Sequence, residues 1–236
     1  MADASLPRHV VVTGAAGALG RAVVQQFLEQ GARVALIDHR LDHLAGAFPG
    51  LDHSQHLLLE ADVTSTESMA AAGQRALDAF GGRVDAVVHI AGGFEMGDAV
   101  HALGRAAWDR MMNLNAWSFV AVTQALVPSM IERKAGRVVA VSAKTAARGA
   151  AGMAAYIASK SALQRLVEAS AAELAPHGIT VNSIAPSVLD TPANRQAMPQ
   201  ADPGQWVSTS VAARTVAFLA SPAAAALHGQ HLTLDA

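Results

Sequence analysis

Residues 9–20 read HVVVTGAAGALG, an apolar run that passes directly into a glycine-rich turn. The consecutive valines are typical of a strand that is buried on both faces of a parallel sheet. Apolar residues recur at helical spacing after the turn, which predicts a helix over residues 19–30. The segment therefore predicts a strand, a tight turn and a helix at the start of the chain.

The same alternation of short apolar runs and longer amphipathic stretches continues to the end of the sequence. Strands are predicted at residues 9–13, 33–37, 56–60, 84–90, 137–141, 180–184 and 230–234. Helices are predicted at residues 19–30, 66–80, 103–132, 154–175 and 208–219, with Pro128 expected to kink or end the third. This order predicts an α/β fold: a Rossmann-type doubly wound sheet of about seven mainly parallel strands, with helices on both faces. No linker or repeat divides the sequence, so residues 1–236 are predicted to form one domain.

The composition limits the kinds of partner. Hydrophobic residues make up 52% and charged residues 15% of the 236 positions, which supports a large core. The net charge of −2 gives no basic surface for nucleic acid and no polybasic membrane segment. Residues 1–9 are too short and polar for a signal peptide, and no apolar run approaches the ~18 residues of a membrane span. We expect a cytoplasmic protein without nucleic-acid or membrane partners.

A metal site is not expected. The chain has no cysteine, which excludes disulfides and thiolate ligands. His39/His43 and His53/His56 have helix-compatible spacing, but no nearby carboxylate completes the usual zinc ligand set. Solvated loop histidines are the expected state.

The glycines of the first turn predict a dinucleotide site. Gly14, Gly17 and Gly20 permit positive φ and a close approach of backbone amides to a pyrophosphate, which the following helix N-terminus also attracts. Asp38 follows the second predicted strand and can accept hydrogen bonds from the adenosine ribose. Its charge would repel a 2′-phosphate by about 4 kcal/mol at close range, so NAD(H) is favoured over NADP(H), although Arg40 is near enough to weaken this argument. The alternatives are a turn without a ligand and an Asp38 that caps a helix or stabilises a turn.

Tyr156 is the only tyrosine, and Lys160 follows four residues later. On a helix the two share a face. A tyrosine has an ordinary pKa of about 10, and a nearby cation can lower a pKa by about 1–3 units, toward the range of proton transfer near neutral pH. The alternative is an ordinary pair on a helix surface.

These motifs and three further segments resemble the short-chain dehydrogenase/reductase family over nearly the whole chain. The first turn is similar to the family's Thr-Gly-x-x-x-Gly-x-Gly signature, with Ala18 where glycine is usual. Asn115 matches the asparagine of the catalytic helix, and Tyr156-x-x-x-Lys160 matches the central motif. Residues 62–63 resemble the pair beside the adenine, and residues 181–186 resemble the segment that leads to the nicotinamide.

The resemblance implies hydride transfer between nicotinamide C4 and a carbonyl, alcohol or imine carbon. Tyr156 would be the general acid/base. Lys160 would lower its pKa and bind the nicotinamide ribose, Asn115 would hold a water relay, and Ser142 could donate to the substrate oxygen. The cofactor contacts implied are Gly14, Gly17, Ala18, Leu19, Gly20, Asp38, Asp62, Val63, Ala91, Gly92, Tyr156, Lys160, Pro186, Val188 and Thr191. The family also implies a homodimer or homotetramer, through the helices at 103–132 and 154–175.

Two departures from the family pattern matter. His89 and Ile90 replace the strand-end asparagines that usually tie strands together, which could change only local structure. Ala143 stands where the catalytic serine is usual, thirteen residues before Tyr156, and Ser142 is its neighbour. Either Ser142 takes over through a shifted loop or the site works without a serine.

Two alternatives to a general carbonyl reductase stay open. Segments around residues 143–156, 189–206 and 91–94 resemble dihydropteridine reductase, which also lacks the serine and reduces a quinonoid substrate. A non-catalytic dinucleotide sensor or scaffold is the second alternative.

Residues 186–206 are expected to form a substrate lid. The segment contains four prolines, and Gly204 offers a hinge. Met198 and Trp206 could contact a planar substrate or, alternatively, pack the lid onto the body.

Overall fold

The computed structural model describes residues 6–236. Residues 1–5, which belong to the N-terminal segment for which no signal peptide is expected, lie outside the described residues. Seven parallel strands form the main sheet. Their bounds are β1 His9–Thr13, β2 Arg33–Asp38, β3 Leu57–Glu60, β4 Ala86–His89, β5 Gly136–Val141, β6 Ile179–Pro186 and β9 His231–Leu234. Across the sheet their order is β3-β2-β1-β4-β5-β6-β9. The predicted sheet is confirmed, and each described pairing in it is parallel.

Helices cover both faces of the sheet, as predicted. Their bounds are α1 Ala18–Glu29, α2 Leu41–Ala47, α3 Thr66–Ala79, α4 Arg105–Met112, α5 Ser118–Arg133, α6 Ala154–Leu174, α7 Pro192–Ala197 and α8 Thr209–Leu219. One buried cluster joins α3, α5 and α6 to one face, and a second joins α1, α2 and α8 to the other. Alternate strand residues enter opposite clusters because successive side chains of a strand point to opposite faces: Val11 belongs to the first cluster, and Val10 and Val12 to the second.

The helix predicted over residues 103–132 has a different interruption from the expected one. A π-helical turn, Asn113–Trp117, separates α4 from α5, and the helix continues through Pro128 to Arg133. Proline removes one backbone donor, but the buried Val127 and Met130 hold this part of the helix in the core. Lys134, with φ of 53°, ends it in the left-handed conformation.

The combined segment Arg105–Arg133 is, by length and composition, apolar enough to cross a membrane. This differs from the expectation that no such stretch exists. Half of its most apolar window is buried inside the domain, and core helices pass the same test.

The two ends of the segment predicted as a lid lie side by side. Two short strands, β7 Leu189–Asp190 and β8 Val207–Ser208, pair in parallel there and connect the start of the segment to its end. Short helix α7 and this small sheet were not predicted. Trp206 is 8% exposed, so it packs the segment onto the body, whereas Met198 is 37% exposed.

Candidate active site

A cleft of about 1370 Å³ opens at the carboxyl ends of β1, β2 and β4. Eleven of the predicted cofactor residues line it: Gly14, Gly17, Ala18, Leu19, Gly20, Asp38, Asp62, Val63, Ala91, Gly92 and Thr191. Pro186, Val188, Tyr156 and Lys160 are not among the residues of its wall. The cleft therefore corresponds to the adenosine and pyrophosphate end of the predicted site.

The glycine turn is built for close backbone approach. Gly14 has φ of +67°, and a Cβ there would lie 2.7 Å from the backbone nitrogen of Ala91. A Cβ on Gly20 would lie 2.1 Å from the Gly14 carbonyl oxygen. Gly17 precedes α1 without any side-chain cap, which leaves the first amides of the helix free for an anion. The turn thus fits the pyrophosphate that the sequence predicts.

Asp38 is fixed beside this turn. Its Oδ2 accepts the Ala16 N–H at 3.0 Å, and its Oδ1 accepts the His39 N–H at 2.9 Å. The alternative role as a helix cap fails, because the residue before α2 is Arg40, which makes no side-chain cap. Ala16 was missed from the sequence because it acts through its backbone, which no residue type reveals.

Arg40 is engaged away from Asp38. Its Nε donates to Asp42 Oδ1 at 2.9 Å, and this hydrogen bond lowers the pKa of Asp42 to about 2. The guanidinium is thereby committed to a neighbouring carboxylate.

The histidines near Asp38 differ from the expectation. Ligand atoms of Asp38, His39 and His43 lie within 4.8 Å of one another, so a carboxylate does stand beside this pair. Both histidines are exposed, and the Asp38 carboxylate accepts the N–H groups of Ala16 and His39. The absence of a metal site stays a prediction.

Lys160 and Asn115 meet at the loop after β4. Lys160 is 5% exposed, and its Nζ donates to the Val141 carbonyl at 2.8 Å. A Cβ on Gly92 would lie 3.0 Å from Lys160 Nζ and 2.8 Å from Asn115 Oδ1. Since Gly92 also lines the cleft, Lys160 borders its inner end.

Three hydrogen bonds hold the side chain of Asn115. Its Oδ1 accepts the Gly93 N–H at 2.8 Å, and its Nδ2 donates to the Gly93 carbonyl and to Ser159 Oγ, both at 3.0 Å. The π-helical turn places Asn115 in this buried position. A water relay would use the second lone pair of Oδ1, and that role stays a prediction.

Burial determines the protonation of the tyrosine–lysine pair. It raises the pKa of Tyr156 to about 12 and lowers the pKa of Lys160 to about 8. Burial therefore sets the direction of the Tyr156 pKa in the free protein, opposite to the lowering expected from a nearby cation. The phenol is protonated at neutral pH, which suits a general acid. Phe94 packs edge-on against its ring, with 4.9 Å between ring centroids.

Ser142 does not take the geometry expected of a substrate donor. It is buried, its Oγ lies 3.4 Å from the Lys160 carbonyl, and its N–H donates to Ile184. The hydroxyl is turned toward the backbone of α6. The hypothesis that Ser142 replaces the serine absent at Ala143 thus has no geometric support.

The remaining predicted site residues form hydrogen bonds mainly within their own segments of the chain. Thr191 Oγ1 caps α7 by accepting the Asn194 N–H at 3.2 Å, the turn-shaping role. Asp62 Oδ1 accepts from Thr64, and the Val188 carbonyl accepts the Val207 N–H at 2.8 Å beside the small sheet. Pro186 ends β6.

Fold and cleft together define a Rossmann-type dinucleotide-binding protein. A family model described as short chain dehydrogenase matches residues 8–202. Cis-4-hydroxycyclohexanecarboxylate dehydrogenase of Sinomonas cyclohexanicum is 33% identical over 100% of this chain and 98% of its own length. Cyclopentanol dehydrogenase of a Comamonas species is 32% identical over 96% of this chain and 94% of its own. The crystal structure of NAD⁺-bound xylitol dehydrogenase, 25% identical, superposes with a TM-score of 0.87 over 96% of both chains.

The chain belongs to the short-chain dehydrogenase/reductase family. It is an NAD(P)-dependent oxidoreductase, and the family resemblance of the sequence is confirmed. These relatives do not favour the dihydropteridine reductase or scaffold alternatives.

Proposed function

We propose that the protein interconverts small secondary alcohols and ketones with NAD(H), and that Tyr156 exchanges the proton at the substrate oxygen. The observation that carries this proposal is the position of Gly92, which lines the dinucleotide cleft and also lies against Lys160 Nζ. This contact supports the interpretation that the cofactor cleft and the tyrosine–lysine pair form one site.

The chain's own residues have distinct tasks in this site. When bound, the nicotinamide supplies or accepts the hydride at C4. The uncapped amides of α1 would hold the pyrophosphate, and Asp38 the adenosine ribose. Lys160 has three N–H donors and uses one on Val141, which leaves donors for the nicotinamide ribose. Tyr156, protonated at neutral pH, would give its proton to the oxygen that gains charge during reduction.

The preference for NAD(H) is supported by the charges around Asp38. A 2′-phosphate would meet this carboxylate, and Arg40, a nearby cation that could offset it, is paired with Asp42. We expect NADH to bind more tightly than NADPH, as measured by quenching of protein fluorescence. Tighter binding of NADPH would overturn this preference.

The substrate class is supported by the relatives named for cyclic alcohols. The test is oxidation of NADH with cyclohexanone and cyclopentanone, with a quinonoid dihydropterin alongside. Turnover of the cyclic ketones is expected. Binding of NADH without turnover of any carbonyl would favour the scaffold alternative.

The dihydropteridine reductase-like activity stays as a second candidate because of Ser142. With that hydroxyl turned toward α6 and Ala143 at the usual serine position, Tyr156 is the donor left to the substrate oxygen. A quinonoid substrate needs less help from an acid. Fast turnover of the dihydropterin with little on ketones would favour this candidate.

A homodimer or homotetramer is also proposed, on the basis of the exposed Trp108 and Trp117 on the α4–α5 helix and Phe218 on α8. Light scattering that gives a monomer would reject it. A cytoplasmic location stays a prediction from the sequence.

A further inference from the structure

His89 is a buried histidine with both ring nitrogens hydrogen-bonded. It ends β4, pairs with Thr13 of β1 and is 1% exposed. Its Nδ1 lies 2.8 Å from Thr13 Oγ1, and its Nε2 lies 3.0 Å from Ser118 Oγ at the start of α5. The imidazole therefore bridges the end of the first strand and the helix on one face of the sheet.

The direction of each hydrogen bond follows from the groups at the two ends. The Ser118 hydroxyl donates to the Leu114 carbonyl at 2.7 Å, because a carbonyl can only accept. Ser118 Oγ must then accept from His89 Nε2–H. In a neutral ring Nδ1 is the acceptor, so Thr13 donates to it and in turn accepts the Ala91 N–H at 3.5 Å. Four consecutive hydrogen bonds, all donated in the same direction, thus connect the Ala91 N–H to the Leu114 carbonyl.

The neutral ring is consistent with its surroundings. Burial and the positive charge of Lys160 lower the pKa of His89 to about 3. A second proton would also remove the acceptor that Thr13 uses.

The two ends of this series of hydrogen bonds are next in sequence to Gly92 and Asn115, which lie at the inner end of the cleft. Ala91 precedes Gly92, which lies against Lys160 Nζ, and Leu114 precedes Asn115. The Asn115 side chain accepts a hydrogen bond from the Gly93 N–H and donates one to the Gly93 carbonyl. The His89 series and the Asn115 amide therefore hold the same loop to the same π-helical turn.

We propose that His89, as the neutral tautomer protonated at Nε2, is a positioning residue for the proposed reaction. By fixing the loop 91–93 against the turn Asn113–Trp117, it sets the places of Asn115 and Lys160 at the cleft. The inference rests on the proposed function. It differs from the simpler view that a histidine in place of asparagine alters only local structure, because the shorter asparagine cannot reach both hydroxyls.

The first test compares Ser118→Ala with a matched control, Ser221→Ala. Both serines are buried and donate to a carbonyl of the preceding helical turn at 2.7 Å, to Leu114 and Phe218 respectively. Both variants should melt roughly 2–4 °C lower. Only Ser118→Ala should lower kcat, by about 10-fold, with the KM for NADH changed less than about threefold. Equal kcat values for the two variants would overturn the proposal.

The second test uses NMR to follow the environment of Asn115 and the tautomer of His89, independently of catalytic activity. In the side-chain amide spectrum, the Asn115 signals should move in Ser118→Ala and stay in place in Ser221→Ala. In ¹⁵N-labelled protein, the His89 imidazole, assigned by its loss in His89→Asn, should keep the neutral Nε2–H pattern from about pH 5 to 9. A ring that titrates in this range, an Nδ1–H tautomer or unmoved Asn115 signals would each overturn the proposal.

Failure of the proposed function is distinguishable from failure of this inference. If the wild-type protein turns over no carbonyl, the proposed function fails. The two NMR readouts still decide whether His89 positions Asn115.

Discussion

The two ends of the cofactor site are built by different means. At the pyrophosphate end, backbone atoms approach each other so closely that Gly14 and Gly20 have no room for a side chain. At the inner end, buried polar side chains, namely Asn115, Lys160 and His89, are held by hydrogen bonds. The close backbone packing at the pyrophosphate end is encoded by the type and spacing of residues in one segment. The hydrogen bonds at the inner end depend instead on which distant groups the fold brings together.

The largest effect is expected at the inner end. Tyr156→Phe removes the phenolic proton but keeps the ring that packs against Phe94. We expect kcat for ketone reduction to fall by about 10²–10⁴-fold, because the oxygen loses its acid. Fluorescence titration should give a Kd for NADH close to that of the wild type. Retention of most ketone activity would contradict the proton-transfer role.

The pyrophosphate end should respond through folding and binding. Gly20→Ala places a Cβ 2.1 Å from the Gly14 carbonyl oxygen, and this overlap should cost about 3 kcal/mol of unfolding free energy and abolish NADH binding. Gly46→Ala in α2 is the control, since nothing lies within 4 Å of its added Cβ. The control should be as stable as the wild type or up to about 1 kcal/mol more stable. Urea unfolding measures both, and equal stability of the two variants would remove the steric argument.

The buried cation at the inner end predicts a pH dependence of stability. The pKa of Lys160 is lowered from 10.5 to about 8, so between these values the unfolded state binds more protons than the folded state. The free energy of unfolding should therefore rise with pH over this window, relative to Lys160→Met, by about 2 kcal/mol near pH 10. Above pH 10 the raised pKa of Tyr156 acts in the opposite sense, because there the folded state holds the extra proton. A difference that is flat from pH 8 to 10 would show that Lys160 is not desolvated.

The smallest effect concerns cofactor choice at the adenosine side. Asp38→Ala should weaken NADH binding by about 10-fold and affect NADPH less, because it removes both the ribose acceptor and the repulsion. Asp42→Ala, which frees Arg40, should improve NADPH binding by a few-fold. Titrations with both cofactors check this pair of variants. If Asp38→Ala weakened the two cofactors equally, Asp38 would not discriminate between them.

Much of the fold could be predicted from the sequence because long periodic segments encode it. The seven strands of the main sheet and the helices at 66–79 and 154–174 lie within a few residues of their predicted bounds. The short helices α2 and α7 were missed, since six or seven residues carry too little periodicity. The π-helical turn was missed because one extra residue in a helical turn leaves no visible mark on an apolar pattern.

The candidate site was predictable in its residues but not in their environments. The spacing of Tyr156 and Lys160 predicted a shared helix face, yet the direction of the Tyr156 pKa depends on burial by distant segments. The orientation of Ser142 likewise depends on its contact with the α6 backbone. His89 was visible as a departure from the family, but its partners Thr13 and Ser118 come from β1 and α5.

Hydride transfer is tested most directly by isotope transfer from NADH deuterated at C4 to cyclohexanone, followed by mass spectrometry of the alcohol. We expect deuterium to appear at the carbinol carbon with the wild-type protein, and the rate of its appearance to fall by about 10²–10⁴-fold in Tyr156→Phe. If bound NADH delivers no deuterium to cyclohexanone or to any other carbonyl or imine, the protein does not catalyse the proposed hydride transfer.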